Sequence, residues 1–313
     1  MILTVTLNPA WDVTYPVGVL DPGATHRVTR PAARAGGKGI NVARVLTRMG
    51  EPALATGVLL GHTGLAVRDD LAQAGVRTAF ADGGGGGNTR CTVTIVEAAS
   101  GRATLLNEPG PGDGDINWPA LRDHLLPLIA RCAVLVLSGS LPPALPVDAY
   151  ADLVEAGRHS GATTILDSDG PALAAALAAR PDIVKPSQDE MARVTGIRDP
   201  HRGAAALLDA GAGAVVVSAG PDGLHAVTRG ESYCARPPEL TAVNPTGAGD
   251  AVVAGLASGL LRRAAWPELV RVATAWSAAS VLEPVAGEVS PAEVARLAGL
   301  VNLQPCERNG MPC

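Results

Sequence analysis

Short β-branched apolar runs that end abruptly in Gly, Ser or Asp recur along the chain: ILTVTLN (2–8), AVLVLSGS (133–140), TTILDSDG (163–170), DIVKPS (182–187) and AVVVSAG (214–220). Helix-like stretches separate most of them. Unbroken apolar runs alternating with helices predict strands covered on both faces, hence a parallel sheet. Ligands of such sheets bind in the crevice beyond the carboxyl ends of the strands, so chemistry is expected at the polar ends of these runs. The fold class that follows is α/β, a mainly parallel central sheet flanked by helices.

Two stretches depart from this pattern. Residues 12–30 (DVTYPVGVLDPGATHRVTR) and 89–107 (TRCTVTIVEAASGRATLLN) alternate as half-exposed antiparallel strands do, and the second contains a turn near Ser100 and Gly101. Together they predict a small sheet, a lid, projecting from the main one within a single domain spanning 1–313. The glycines at 83–87 read as a flexible loop. The tail, 302–313, has no periodicity and is expected to be loosely ordered. In GPGDGDINW (110–118) Asp113, Asp115 and Asn117 alternate as calcium ligands would. An EF-hand loop then requires Gly at its sixth position and Glu at its twelfth; Trp118 and His124 stand there instead. The segment therefore reads as a turn leading into a helix from about 118.

Composition narrows the functional classes. The 313 residues are 47% apolar but only 3% aromatic, so a sizeable core must be built from Ala, Val and Leu. A net charge of −5 gives no reason to expect nucleic acid or an anionic membrane surface. The opening MILTVTLNPAWD lacks a basic n-region, and no uninterrupted apolar stretch approaches the ~18 residues of a membrane span, so neither leader nor span is expected. Cys91, Cys132, Cys234, Cys306 and Cys313 are odd in number and lack metal-type spacing; they read as reduced thiols of a cytoplasmic protein. His26, His62, His124, His159, His201 and His225 form no metal-ligand spacing either, and no role is assigned to them.

Of 25 basic side chains only two are lysine, Lys38 and Lys185. Each falls in a stretch that carries chemistry. In VNPTGAGDAVVAGLASGLL (243–261) the residues from Ala251 onward are apolar on nearly all sides, predicting a buried helix. Gly247, Ala248 and Gly249 put small residues at its first turn, where backbone N–H groups lack intrahelical partners and the helix dipole favours an anion. Asp250 follows directly. An anion cradle beside a carboxylate suits phosphoryl transfer: the amides stabilise transferring oxygens while the carboxylate takes the acceptor's proton.

In RAGGKGINVARV (34–45) Val42, Val45, Leu46 and Met49 define the core face of a second helix. Lys38 and Asn41 project together from its start, and Gly36, Gly37 and Gly39 leave amides open. The spacing is not that of a P-loop. Lys185 lies at a strand's carboxyl end with Glu190 in the next helix. Asp12 and Arg90 open the two lid segments; Asp12 could accept from sugar hydroxyls, and Arg90 could clamp a phosphate bidentately. Ser138, Gly139 and Ser140 close another strand.

Taken together, TLNPAWD (6–12), AGGKGINVARVL (35–46), NTRCTV (88–93), SGSLP (138–142), VKPSQDE (184–190), VSAGPDG (217–223) and NPTGAGDA (244–251) resemble the ribokinase-like PfkB carbohydrate kinases. The resemblance is to their phosphosugar branch, over residues 1 to about 285. It implies a ribokinase-like fold whose β-lid often pairs with a second subunit's lid, giving a homodimer. It implies ATP and Mg2+ as cofactors and a sugar phosphate as substrate. Asp250 matches the catalytic base; Gly247, Ala248 and Gly249 match the anion hole. Asp12, Gly37, Lys38 and Asn41 match sugar-contacting positions, and Arg90, Lys38 and Ser138 those that hold the substrate's own phosphate. Lys185, Glu190, Ser218, Gly220 and Gly223 match the nucleotide side, with Glu190 acting on magnesium indirectly. Ser187 stands where the family often has Asn, and Asn244 where Asp is usual. The implied reaction makes a bisphosphate from tagatose 6-phosphate or fructose 1-phosphate, with fructose 6-phosphate as an alternative. A non-catalytic sugar-phosphate sensor is the rival from another class. A dinucleotide enzyme is excluded, because G-x-G-x-x-G is absent after the first strand.

Overall fold

A computed structural model describes residues 1–306 apart from Gly85. The chain opens with strands β1 (Ile2–Thr6), β2 (Ala10–Val17) and β3 (Ala32–Gly36), then α1 (Lys38–Arg48), β4 (Ala53–Leu59), α2 (Gly61–Gln73) and β5 (Ala81–Asp82). The hairpin β6 (Arg90–Glu97) and β7 (Ala103–Asn107) follows. Next come α3 (Trp118–Ile129), β8 (Val134–Ser138), α4 (Ala149–Ser160), β9 (Thr163–Asp167), α5 (Gly170–Leu177) and β10 (Ile183–Val184). The remainder is α6 (Gln188–Thr195), α7 (Pro200–Asp209), β11 (Ala214–Ser218), β12 (Leu224–Thr228), β13 (Ser232–Arg236), α8 (Ala248–Leu261), α9 (Trp266–Ser280), α10 (Pro291–Ala298) and β14 (Asn302–Pro305).

Ten strands form one sheet in the order β14-β13-β12-β11-β10-β9-β8-β1-β4-β5. From β11 to β5 every pair is parallel; β12, β13 and β14 are added antiparallel. The strand alternation assigns its two faces. Ile2, Val134, Val136 and Ile165 pack on Val42, Val45 and Leu46 of α1 and on α8, α9 and α10. Leu3, Val5, Leu135, Leu137 and Leu166 pack on the other side, where α3, α4, α5, α6 and α7 lie. The result is the predicted three-layer α/β fold. Helix α8 is buried continuously from Asp250 to Gly259, as its all-round apolar sequence requires. Its crossing with α9 is close enough that a Cβ on Gly255 would lie 2.7 Å from the Ala273 Cα.

A second sheet, in the order β3-β2-β6-β7, stands off the first. It differs from the lid read in the sequence in two respects. Strand β2 stops at Val17, so residues 18–30 are not strand, and the third strand is 32–36, a short Ala-rich run without alternation. The central pair β2–β6 is parallel, not antiparallel; only the β2–β3 and β6–β7 pairs run antiparallel. Both lid connections reach the main sheet at the same end: β1 continues into β2, and β3 enters α1 through Gly37, whose φ is 112°. The lid therefore hangs over the carboxyl ends of the strands.

Three further expectations meet the structure at loops and edges. Asn117 caps α3, its side chain accepting from the Ala120 amide at 3.1 Å, while Asp115 accepts from Gly112 N at 2.9 Å. Asp115 and Asn117 thus build a turn and a helix start. The tail is ordered further than expected: 302–305 pairs with β13 as strand β14, and residues 307–313 lie outside the described residues, as does Gly85 of the glycine loop. Finally, Cys234 and Cys306 are joined in a disulfide, with Cα atoms 6.0 Å apart. The reading of all five cysteines as reduced thiols is corrected for this pair; a separation of 72 residues conceals what the β13–β14 pairing brings together. Cys91 and Cys132 are free thiols.

Candidate active site

One carboxylate organises the cleft at the strands' carboxyl ends. Asp167, the last residue of β9, has no solvent exposure. Its Oδ1 lies 3.3 Å from Lys38 Nζ and 3.3 Å from Lys185 Nζ, and its Oδ2 accepts from the Ser138 hydroxyl at 3.0 Å. The only two lysines of the chain therefore share one buried oxygen. The sequence reading had set Lys38 and Lys185 at opposite ends of the reaction and did not mark Asp167, although TTILDSDG was already among the strands with polar ends.

Lys38 also pairs with Glu190 Oε1 at 3.1 Å. Burial alone would lower the Lys38 ammonium, but Asp167 and Glu190 outweigh it and hold the group protonated well above the ordinary range. Burial likewise pushes Glu190 up, yet Lys38, the Ser187 amide and Lys185 bring it to about 2. Glu190 and Ser187 form a capping box at the start of α6: Ser187 Oγ accepts from Glu190 N at 3.2 Å, and Ser187 N donates to Glu190 Oε2 at 2.7 Å. Serine in place of the family's usual asparagine is explained locally, as a helix cap.

Asp250 sits in the first turn of α8, buried, with Oδ2 accepting from Asn41 Nδ2 at 2.8 Å. Its Oδ1 accepts no hydrogen bond from a described residue. Burial, then the nearby Asp167 charge, raise its pKa to about 7, against the Asn41 hydrogen bond and the two lysines. A carboxylate poised there can take a proton near neutral pH. The N-cap of α8 is Gly247 at φ 86°, and no side chain caps the helix. Ala248 N reaches Pro245 O at 3.3 Å. Lys185 reaches the same turn, since a Cβ on Gly249 would be 3.1 Å from Lys185 Nζ. Asn244 braces the loop before the helix, its amide donating to Pro284 O at 3.0 Å and its oxygen accepting from Thr246 N at 2.9 Å.

A second group lies at the lid base. Asp12 faces Arg34 across β3 and Thr92 across β6, and accepts from the Thr92 hydroxyl. Burial raises its pKa against that bond, Arg90 and Arg34. Gly36 is glycine because a Cβ there would overlap the Asp12 carboxylate, and a Cβ on Gly39 would press on Val5 O at 3.0 Å. These two glycines answer to packing as much as to open amides. Arg90 donates to the carbonyl oxygens of Asn8 (3.3 Å) and Glu108 (3.2 Å). The trio Arg90, Lys38 and Ser138 is thus divided: Ser138 is buried and its hydroxyl is committed to Asp167. Ser218 closes β11 and bridges to Ser187, with Ser218 N donating to Pro186 O at 3.0 Å. Gly220 opens a 3-10 turn and Gly223 follows it, at φ 58° and 88°, and a Cβ on Gly223 would overlap Ala235 O.

With this fold and site in view, the chain belongs to the pfkB family of carbohydrate kinases, whose family model matches residues 6–293. It is 33% identical over 298 residues to a tagatose-6-phosphate kinase of Staphylococcus epidermidis, covering 93% of this chain and 95% of that one. To a 1-phosphofructokinase of Xanthomonas campestris pv. campestris it is 39% identical over 315 residues, 96% of each chain. Its fold superposes on the crystal structure of phosphofructokinase-2 from Escherichia coli in complex with fructose-6-phosphate with a TM-score of 0.85 at 29% identity, covering 96% of this chain and 98% of that one. The chain is accordingly a phosphosugar kinase, a phosphotransferase with a hydroxyl acceptor.

The raised pKa of Asp250 has a consequence for stability. The folded chain holds this proton more tightly than the unfolded chain, so ionising Asp250 disfavours the fold. That penalty is absent below the ordinary carboxylate range and complete above about pH 7. Asp250→Asn should therefore melt higher than wild type at pH 8, the gap narrowing as pH falls toward 5. Thermal unfolding across that range checks this; a variant that melts lower at pH 8 refutes it.

Proposed function

We propose that this chain transfers the γ-phosphoryl group of ATP to a hydroxyl of a ketohexose phosphate, giving a bisphosphate and ADP. The observation that carries this is a carboxylate near neutral pKa, Asp250, fixed by Asn41 at the uncapped N-terminus of a buried helix beside two lysines. Asp250 takes the hydroxyl proton, the oxygen attacks the γ-phosphorus, and the bond to the ADP oxygen breaks. Amides at Gly247, Ala248 and Gly249 receive the transferring oxygens. Lys185, Ser218, Gly220 and Gly223 serve the nucleotide. Asp12, Gly37 and Asn41 hold the sugar, and Arg90 with Lys38 holds the phosphate already on it; Ser138 acts through Asp167. Lid closure over the strand ends excludes water, which would otherwise compete as acceptor.

Magnesium is ordinarily held by one or two carboxylates together with substrate phosphates and water, and the carboxylates here are compatible with that. Asp167 is already bonded to both lysines and Ser138, and Glu190 to Lys38 and the Ser187 amide. Phosphate oxygens would thus be the direct ligands, with Glu190 reaching the ion through water. The ion would supply neutralisation of charge on the phosphates.

The relatives' names make tagatose 6-phosphate and fructose 1-phosphate the first substrates to test, with fructose 6-phosphate beside them. A coupled ADP-release assay with ATP and Mg2+ should show a preference of ~100-fold in kcat/KM for one of them, about 2.7 kcal/mol in transition-state binding. Asp250→Asn should lower kcat by ~10²–10⁴-fold. If every sugar phosphate gives only the rate of Asp250→Asn, a sensor that binds without turnover replaces this reading.

Lys38→Arg should raise KM for the sugar phosphate by ~10-fold or more, about 1.4 kcal/mol, because the longer planar cation cannot meet Asp167 and Glu190 as a compact charge. Steady-state kinetics read this, and an unchanged KM sinks the assignment.

We further propose a cytoplasmic homodimer formed through the lid. Among the described residues no helix is long and apolar enough to cross a membrane. Strand β7 is an open edge exposed along its length, with Leu105 at 58% and Leu106 at 56% exposure. An apolar open edge favours pairing with another strand. Sedimentation should show a dimer for wild type and a monomer for Leu105→Lys/Leu106→Lys; a wild-type monomer, or a variant that still dimerises, refutes this interface.

A further inference from the structure

At the antiparallel edge of the main sheet, four side chains left without a role by the sequence reading come together from three elements and the segment after a fourth. His201 lies in the first turn of α7, His225 on β12, Cys234 on β13, and Cys306 just past β14. His225 Nδ1 is 3.4 Å from His201 Nε2; Cys234 Sγ is 3.3 Å from His225 Nδ1 and 3.6 Å from His201 Nε2. The two rings are nearly perpendicular, at 87°. The fourth donor, Cys306 Sγ, is bonded to Cys234. We infer that, when the Cys234–Cys306 disulfide is reduced, His201, His225, Cys234 and Cys306 form a tetrahedral Zn2+ site.

The distances carry the argument. Zinc takes imidazole nitrogen at about 2.0–2.1 Å and thiolate at about 2.3 Å, so tetrahedral ligands sit about 3.3–3.4 Å apart for two nitrogens and about 3.5–3.6 Å for nitrogen and sulfur. The nitrogen–nitrogen separation of 3.4 Å and the Cys234–His201 separation of 3.6 Å match that geometry. The Cys234–His225 separation of 3.3 Å falls a few tenths of an ångström short of it, a shift that freeing Cys234 from the disulfide permits. The 3.4 Å between the two imidazole nitrogens is long for a hydrogen bond between them. Two imidazoles and two thiolates are also a donor set that selects zinc over hard oxygen-loving cations.

The surroundings agree. Cys234 is buried and His225 half-buried. Burial and the neighbouring His201 and Arg236 keep His225 toward its neutral, metal-binding form, against Asp199 and Asp222. The backbone holds the fourth ligand in place: Cys306 N donates to Ser232 O at 2.9 Å, and the Ser232 hydroxyl donates to Cys306 O. An ion here would tie α7, β12, β13 and the segment after β14 together. Spacings across 201, 225, 234 and 306 resemble no compact zinc motif, which is why only the fold reveals the cluster.

The exchange of states balances with a phosphine as reductant. The phosphine takes oxygen from water and is oxidised to its oxide; the S–S bond breaks, and the two hydrogens of that water end on the two sulfurs. Zinc then binds the thiolates, and their two protons pass to the buffer.

The full-length chain, reduced with a trialkylphosphine without oxygen, is titrated with Zn2+ against a chromophoric chelator. One zinc per chain is expected, and Co2+ in its place should give the visible bands of a four-coordinate ion with a thiolate-to-cobalt charge-transfer band. Both should vanish in the oxidised wild type, which controls for folding, and in Cys234→Ser/Cys306→Ser and His201→Ala/His225→Ala. Thiol counting in denaturant verifies the state: five reactive cysteines when reduced, three with Cys234–Cys306 intact. If the reduced wild type binds no more zinc than the oxidised form, or either double variant keeps it, the site is a structural disulfide beside two histidines and the inference fails.

Discussion

A carboxylate removed from water must be compensated where it lies, and in this chain that constraint falls on Asp167. Desolvating a charge costs several kcal/mol unless partners with good geometry replace the water. Here the partners are both lysines and the Ser138 hydroxyl. The lysines come from the start of α1 and the residue after β10, so compensating Asp167 fixes two loops at once. It also sets Asp250: the Asp167 charge raises that carboxyl, and the two lysines oppose it. Removing any one of these groups would change the protonation of Asp250 as well as the contact, which makes the cleft a single electrostatic unit.

How much of this was legible beforehand follows from which residues act locally. The parallel strands with polar ends, the buried helix behind Gly247–Asp250 and the placement of Lys38 and Asn41 together at one helix start all depend on short-range pattern, and the sequence shows them. Asp167 does not announce itself, because its importance arises from two lysines 129 and 18 residues away that only the sheet order brings near. Strand β3 is masked for a different reason. It is Ala-rich, lacks alternation, and is fixed as a strand by its partner β2. The edge strands β12 to β14 are antiparallel additions whose order is tertiary information, and with them comes the pairing of Cys234 with Cys306.

The glycine-rich motifs show where a functional reading needs a structural one beside it. Gly36 makes room for the Asp12 carboxylate, Gly39 for β1, and Gly223 for the Ala235 carbonyl. At Gly223 a side chain would collide with backbone, at Gly39 it would press on it, and at Gly36 it would turn the Asp12 carboxylate aside. The close approach so permitted keeps Asp12 at the lid base and the 220–223 turn against β13. Packing and binding are here one requirement, because the glycines that let the elements meet also decide where the polar groups point.

Why two positions hold lysine in a chain that otherwise uses arginine is then a question of volume and donor geometry. Lys185 is buried, its ammonium 3.1 Å from where a Cβ on Gly249 would stand, so the head group is lodged against the first turn of α8. A guanidinium there would have to displace that turn. Arginine also binds carboxylates best through both oxygens. Oδ2 of Asp167 is already taken by Ser138, leaving Oδ1 for two cations at 3.3 Å each. One shared oxygen suits two compact ammonium groups with rotatable donors, and not two planar forks. Each lysine keeps further N–H donors beyond its contact with Asp167, and Lys38 directs one to Glu190. The remaining donors are those with which, in the proposed reaction, the same ion cluster would hold phosphates.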